Sequence, residues 1–143
     1  LVNGAGEPQN SAGAEPLNHG RVISIFGCAG LRDIQKRAWM GEISGRRADI
    51  TIVTAEDPRT ESLSAINAKI QEGLHKSGRV RDKDYFLVDD RAQAIEFAIK
   101  QLARPADVIM ICGKGHERSM CYGTTEYPWS DQDTARKALA SPA

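Results

Sequence analysis

RVISIFGCAGLRDIQKRAWMGEISGRRADITIV, residues 21–53, is the stretch that decides the fold. Arg21–Phe26 is a short, continuous apolar run and reads as a strand. Gly27-Cys28-Ala29-Gly30 is a turn. From about Asp33 to Arg47, Ile34, Ala38, Ile43 and the Trp39-Met40 pair fall roughly at helical spacing, which predicts a helix with that set as its apolar face. Asp49–Val53 is a second apolar run. Neither strand alternates apolar with polar residues. Such runs mark strands covered on both faces, as in a parallel sheet with helical crossovers.

The same alternation continues outward. Pro58 marks a loop. Leu63, Ile66, Ile70 and Leu74 define an amphipathic helix from about Ser62 to Leu74, with Ser62 or Ser64 as cap. Arg79–Lys83 is charged and reads as exposed. Tyr85–Val88 is a third strand, and Asp90 caps a helix running to about Leu102, with Ala94, Ile95, Ala98, Ile99 and Leu102 on one face. Pro105 closes that unit. Asp107–Ile111 is a fourth strand, Ser119–Tyr127 an irregular hairpin or loop, and Asp131 caps a last helix from Gln132 to about Leu139. Tyr127 and Trp129 read as caps on the core. The expected fold class is α/β: a Rossmann-like, doubly wound, mostly parallel sheet with right-handed crossovers and helices on both faces. Residues 1–20 are rich in Gly, Pro, Asn and Ala and lack periodicity, so they read as a linker or the remnant of a preceding domain, and residues 21–143 as one domain.

Composition narrows the function classes. The chain has 143 residues, a hydrophobic fraction of 41%, a charged fraction of 27% and a formal net charge of +0. That balance gives no electrostatic footprint for nucleic acid or an anionic membrane. No apolar run reaches the roughly 20 residues needed to cross a bilayer, and no basic-then-apolar start reads as a signal peptide. The three cysteines, Cys28, Cys112 and Cys121, are an odd count without regular spacing, which argues against a disulfide framework and for small buried hydrophobes in a reducing cytoplasm. His19, His75 and His116 do not join them at zinc-site spacing.

Four polar clusters follow the strands, at the sheet edge where open α/β folds bind ligands. Gly27–Arg37 combines two glycines with Arg32, Asp33, Lys36 and Arg37 at the start of a helix. It suits an anion, or else is a tight turn with a solvated helix face. Thr54–Ser62 holds Asp57 and Arg59 on either side of Pro58. A carboxylate beside a guanidinium can read the ammonium and carboxylate of an amino acid, or form an internal salt bridge. In Gly113–Glu117, GKGHE, the glycines admit a ligand to the backbone while Lys114, His116 and Glu117 carry charge of both signs. Asp89-Asp90 reads as a helix cap. The chain contains neither G-x-x-x-x-G-K-[ST] nor G-x-G-x-x-G, so it has no P-loop and no dinucleotide fingerprint.

Taken in order, FGCAGLRDIQKR (Phe26–Arg37), VTAEDPR (Val53–Arg59), DRAQAI (Asp90–Ile95), GKGHE (Gly113–Glu117) and SDQDTARKAL (Ser130–Leu139) resemble the C-terminal domain of the Mur ligases. The match is best to members that add the third residue, a diamino acid, to UDP-N-acetylmuramoyl-L-alanyl-D-glutamate. It runs from about Arg21 to Leu139. The resemblance implies a Rossmann-like domain of a cytoplasmic, monomeric ligase of peptidoglycan biosynthesis, serving cell wall biogenesis, cell shape and cell division. In that family ATP phosphorylates a peptide carboxylate and the incoming amine displaces the phosphate. ATP and Mg2+ are held mainly by a central domain that carries the P-loop. The C-terminal domain delivers the amino acid, closes over ATP and excludes water.

By position, the resemblance assigns Arg32, Asp57, Arg59, Gly113 and Glu117 to the amino-acid substrate, and turns Asp33 and Lys36 toward the nucleotide. It places no catalytic residue and no metal ligand in this domain, so the isolated chain is expected to be inactive. Two positions depart from the family pattern. Leu31 replaces an acid, and Asp57 replaces the asparagine common in enzymes that add meso-diaminopimelate. A carboxylate at 57 favours a bare ammonium and disfavours a distal carboxylate, which points to L-lysine, ornithine or a similar diamino acid. A stand-alone amino-acid or nucleotide binding module is the alternative from a different class.

Overall fold

The computed structural model describes residues 19–142, so the reading of residues 1–20 as a linker or remnant lies, but for His19 and Gly20, outside the described residues. The order is β1 (Val22–Phe26), α1 (Ile34–Arg47), β2 (Ile50–Val53), α2 (Leu63–Lys76), β3 (Tyr85–Leu87) and α3 (Arg91–Phe97, prolonged as a π-turn over Ala98–Leu102). Then follow β4 (Val108–Ile111), β5 (Ser119–Tyr122), β6 (Thr125–Pro128) and α4 (Asp131–Ala140). The main sheet has the order β3-β2-β1-β4, and every pairing in it is parallel, with Ile25 level with Ile52 and Ile111. Strand for strand this main sheet is the parallel α/β sheet expected from the alternation of apolar runs and helices over residues 21–111.

Two apolar layers enclose the sheet. Ile23, Ile25, Ile50 and Ile52 pack against Ala94, Ile95 and Ala98 of α3 on one side. Phe26, Val53 and Tyr85 pack against Ile66, Ile70 and Leu74 of α2 on the other, with Met40 of α1 beside them. The chain steps β1→β2→β3 with α1 and α2 on one face, then reverses to β4 with α3 on the opposite face, as crossovers of one hand require. The reversal falls between β1 and β4, which makes their carboxyl ends a topological switch point.

The buried face of α1 differs from the expected one. Arg37, Gly41, Ser44 and Gly45 are buried, whereas Ile34 (60%), Trp39 (61%) and Ile43 (61%) are exposed. The reason is a close approach of two helices. A Cβ on Gly41 would lie 2.0 Å from the Ile70 carbonyl oxygen, and one on Gly73 would lie 1.9 Å from that of Ala38. The helices meet through glycine, so the large residues of α1 turn away. Gly73→Val is expected to destabilise the chain by about 3 kcal/mol, the upper part of the range for overpacking. Equilibrium urea unfolding measures this, and a change below about 0.5 kcal/mol, typical of a surface substitution, would show that the helices are not in contact there.

Other expectations shift in detail. Ser62 caps α2 and Asp90 caps α3, each accepting a backbone N–H. The cap of α4 is Ser130, whose Oγ accepts from Asp133 N at 3.2 Å; Asp131 is instead buried as an ion-pair partner. Ser119–Pro128 forms a regular antiparallel hairpin, β5–β6. Trp129 packs on the core, whereas Tyr127 is exposed. Among the described residues, β4 is covered on one face only: Val108 is 60% and Met110 47% exposed. Cys28 and Cys121 are buried, Cys112 is half-buried, and all three are free.

Candidate functional site

The loops after β1, β2 and β4 converge at the switch point and are tied to one another. Arg37, buried in the first turns of α1, donates from Nη1 and Nη2 to the two carboxylate oxygens of Glu61 at 2.6 and 2.7 Å. Glu61 also accepts the Leu31 N–H at 2.9 Å. These bonds, the Arg37 guanidinium first among them, pull the Glu61 carboxyl down to about 2. Gly30 N donates to Asp57 O at 2.9 Å, and Arg59 Nη1 donates back to Gly30 O at 2.7 Å. The β1 and β2 loops are thereby held as one unit. Leu31, Asp33, Asp57 and Arg59 all have positive φ without being glycine. A cluster of left-handed residues at one sheet edge stores strain of the kind found at ligand sites.

The β4 loop is anchored by an ion. The Lys114 side chain is fully buried and its Nζ donates to Asp57 Oδ1 at 2.8 Å and to Glu117 Oε2 at 2.6 Å. The same Asp57 oxygen accepts the Cys121 N–H at 2.8 Å, which joins the β5–β6 hairpin to the site. Burial alone would lower the Lys114 ammonium, but its two carboxylate partners outweigh it and raise the pKa. Burial likewise works to raise the Asp57 carboxyl, yet the bonds from Lys114 and Cys121 hold it below its ordinary value.

Beside this triad lies a polar pocket of about 180 Å³ lined by Gly27, Cys28, Ala29, Arg32, Asp33, Lys36 and Glu56. Glu56 is half-buried, and burial pushes its carboxyl up. Gly113 (φ 104°) passes directly over it: a Cβ there would come within 2.4 Å of Glu56 Oε2. The backbone angle itself favours glycine, and any Cβ would also push the Glu56 carboxylate aside.

The predicted site residues therefore divide. Arg32, Asp33 and Lys36 share the pocket wall, and Gly113 overlies its floor. Asp57 and Glu117 are joined through Lys114. Arg59 does not line the pocket; its guanidinium fastens the β1 loop. Sequence reasoning missed Glu56, although it adjoins Asp57, and it gave Lys114 no partner. It also gave no role to Arg91 in the DRAQAI stretch. Arg91 is buried and donates from Nε and Nη2 to Asp131 at 2.7 and 2.8 Å, from Nη1 to Ala55 O at 3.2 Å and from Nη2 to Cys112 O at 2.8 Å. It thus props up the carboxyl ends of β2 and β4 from below. Among the described residues, no group of three or more His, Cys, Asp or Glu side chains is placed to hold a metal ion, and no helix is long and apolar enough to cross a membrane.

An open parallel sheet with a strained, charge-lined pocket at its switch point defines a Rossmann-like ligand-binding domain. Residues 10–115 match the family model described as Mur ligase, glutamate ligase domain, and the chain belongs to that family. It is 48% identical over 125 residues to the UDP-N-acetylmuramyl-tripeptide synthetase of Roseiflexus sp. (strain RS-1), covering 87% of this chain and 24% of the relative. It is 41% identical over 126 residues to the UDP-N-acetylmuramoyl-L-alanyl-D-glutamate–2,6-diaminopimelate ligase of Synechocystis sp. (strain ATCC 27184 / PCC 6803 / Kazusa), covering 88% and 24%. A solved structure of a ligase with that same name superimposes with a TM-score of 0.76 at 32% identity, covering 83% of this chain and 23% of the other. The chain thus spans about a quarter of the length of the curated relatives it matches.

Proposed function

We propose that this chain is the amino-acid-delivering domain of an ATP-dependent ligase that adds a diamino acid to UDP-N-acetylmuramoyl-L-alanyl-D-glutamate in peptidoglycan synthesis. The printed names of its relatives support this reading. The observation that carries it is the opposed charge of the site. Arg32 and Lys36 stand at the pocket with Glu56, while two carboxylates, Asp57 and Glu117, hold a single buried ammonium, Lys114. A zwitterion with a further amine fits such a surface: its carboxylate on Arg32, its ammonium groups toward the acids. Gly113 lets the ligand approach the backbone, and Glu117 carries the more exposed of the two carboxylates bound to Lys114. Arg59 acts by holding the loop. Asp33 and Lys36 turn toward the nucleotide on closure.

The sequence contains no G-x-x-x-x-G-K-[ST] motif, and in this reading ATP and Mg2+ are bound mainly by the remainder of a longer polypeptide, where ATP activates the peptide carboxylate as an acyl phosphate. The contribution of these residues is to hold the amine donor and to exclude water as the domains close. The enzyme acts in the cytoplasm, as a monomer, on small molecules, and the isolated domain is inactive.

The carboxylate at position 57 also bears on which diamino acid is used. A distal carboxylate would be repelled where a bare ammonium is attracted. The full-length ligase is expected to use L-lysine or L-ornithine at least about tenfold better in kcat/KM than meso-diaminopimelate, the ratio that 1.4 kcal/mol of discrimination produces. Asp57→Asn is expected to narrow that ratio. A clear preference of the unaltered enzyme for meso-diaminopimelate overturns this part of the reading. Failure to incorporate any diamino acid into the nucleotide-linked dipeptide overturns all of it.

A further inference from the structure

The β5–β6 hairpin carries two tyrosines that the reading above leaves without a task. Met120 pairs with Tyr127 and Tyr122 with Thr125, so Met120, Tyr122, Thr125 and Tyr127 share one face of the hairpin. Met120 is buried at the β2 loop, where its Sδ accepts the Asp57 N–H at 3.4 Å. That face is therefore the one turned toward the site. Tyr122 and Tyr127 continue it outward, 40% and 51% exposed. Their rings meet edge to face, with centroids 6.1 Å apart and planes at 66°.

Main-chain bonds fix Tyr122 beside the groups assigned to the substrate. Arg59 N donates to Cys121 O at 3.2 Å and Gly123 N donates to Arg59 O at 2.8 Å, so Arg59 and Tyr122 are partners in a strand-like bridge. Two acids stand near the Tyr122 side chain, one after β3 and one after β2. Burial pushes its hydroxyl up and the Asp90 carboxylate adds to this; Arg91 opposes the rise and Asp57 supports it. Arg91 is already committed to Asp131. Asp90 Oδ1 accepts the Gln93 N–H, and Asp57 Oδ1 takes both Lys114 Nζ and the Cys121 N–H. Among the described residues, the second oxygen of each acid accepts no bond. An aromatic face beside free carboxylate oxygens suits an ammonium group.

We propose that Tyr122, braced by Tyr127, is a specificity-determining residue of the ligase, and that its ring holds the distal ammonium of the incoming diamino acid. The inference rests on the diamino-acid reading above and adds the far end of the substrate to it. Arg32, Asp57 and Asp90 follow β1, β2 and β3, which lie side by side in that order. An extended diamino acid laid across these strand ends has its α-carboxylate on Arg32 and its distal ammonium over the Tyr122 ring, between Asp57 and Asp90.

Steady-state kinetics of the full-length ligase and its Tyr122 variants test this. L-Lysine and meso-diaminopimelate both carry a distal ammonium, so whichever the parent incorporates serves as the probe. Tyr122→Ala is expected to raise KM for that amino acid at least about fivefold, the size of a partly desolvated cation–π contact. Its kcat and its KM for ATP should stay within about twofold of the parent, because the contact binds without reacting. Tyr122→Phe keeps the ring and should keep the parent KM, whereas Tyr122→Leu keeps apolar bulk alone and should behave like Tyr122→Ala. An unchanged KM in Tyr122→Ala overturns the proposal. So does a parallel rise in KM for ATP, which would place a nucleotide base on the ring. Recovery by leucine would reduce the residue to packing, and failure of Tyr122→Phe would put the hydroxyl in place of the ring; either result overturns the proposal too. A parent that incorporates neither amino acid overturns the diamino-acid reading itself, whereas an active parent with an unaffected Tyr122→Ala overturns this inference alone.

Discussion

Arg91→Met is expected to destabilise the chain by about 3–5 kcal/mol, the range for removing one partner of a buried ion pair. Arg91 and Asp131 are both buried. Their two bonds clamp the start of α3 to the start of α4. The same guanidinium satisfies the carbonyl oxygens of Ala55 and Cys112 at the ends of the strands that carry the site. Without it, one carboxylate and two carbonyls lose their charged donor in the interior. Against a typical total of roughly 5–15 kcal/mol, that loss takes a large part of the folding free energy. Equilibrium urea unfolding measures it, and a loss under about 1 kcal/mol, the size of an exposed pair, would show the clamp to be dispensable. Arg91→Met combined with Asp131→Leu should recover part of the loss, because no unpaired charge then remains. Recovery stays incomplete, since Trp129 Nε1 also donates to Asp131 at 2.8 Å.

Lys114→Met should cost about 3 kcal/mol at neutral pH, the lower end of the same range, because Glu117 can turn to water while Asp57 cannot follow easily. This loss should depend on pH. In the unaltered chain the Asp57 carboxyl is held below its ordinary value, so its contribution to stability is present above the unfolded pKa and is lost as pH falls. With the ammonium gone, burial governs and the carboxyl rises. It then favours the folded state at low pH and opposes it as pH rises. The difference between variant and parent should therefore be larger near pH 7 than near pH 4. A difference that is flat between those values would mean that Asp57 and Lys114 do not share a proton-linked contact. In the full-length ligase the same change should raise KM for the amino acid more than it lowers kcat, because it disorders groups that bind rather than react.

Both effects rest on residues whose importance the sequence only partly displayed. Lys114 stood out between two glycines, yet nothing near it in the chain named Asp57 as its partner. Arg91 sat in a stretch that resembled the Mur ligases, without a chemical reason for being there. Glu56 was overlooked beside Asp57, although it lines the pocket together with Asp33. Arg59, which the resemblance assigns to the substrate, also has a structural bond that its sequence position did not reveal, from Nη1 to Gly30 O of the β1 loop. In each case the missing information was which loop would come to lie against which. Strand order sets that, and residues close in sequence do not reveal it.

The sequence by itself determined the order of elements, the parallel sheet and the edge that carries the polar clusters. Continuous apolar runs such as Ile50–Val53 and the Leu63, Ile66, Ile70, Leu74 spacing are local signals, and backbone periodicity turns them directly into strand and helix. Tertiary structure alone decided which face of α1 is buried, which acid holds Lys114, and that β4 is left bare on one side. Burial and charge pairing depend on the distance between elements. Here Gly41 and Gly73 let α1 and α2 touch, and the β1–β4 neighbourhood brings three loops to one point. A side chain's own spacing in the chain carries no record of that approach.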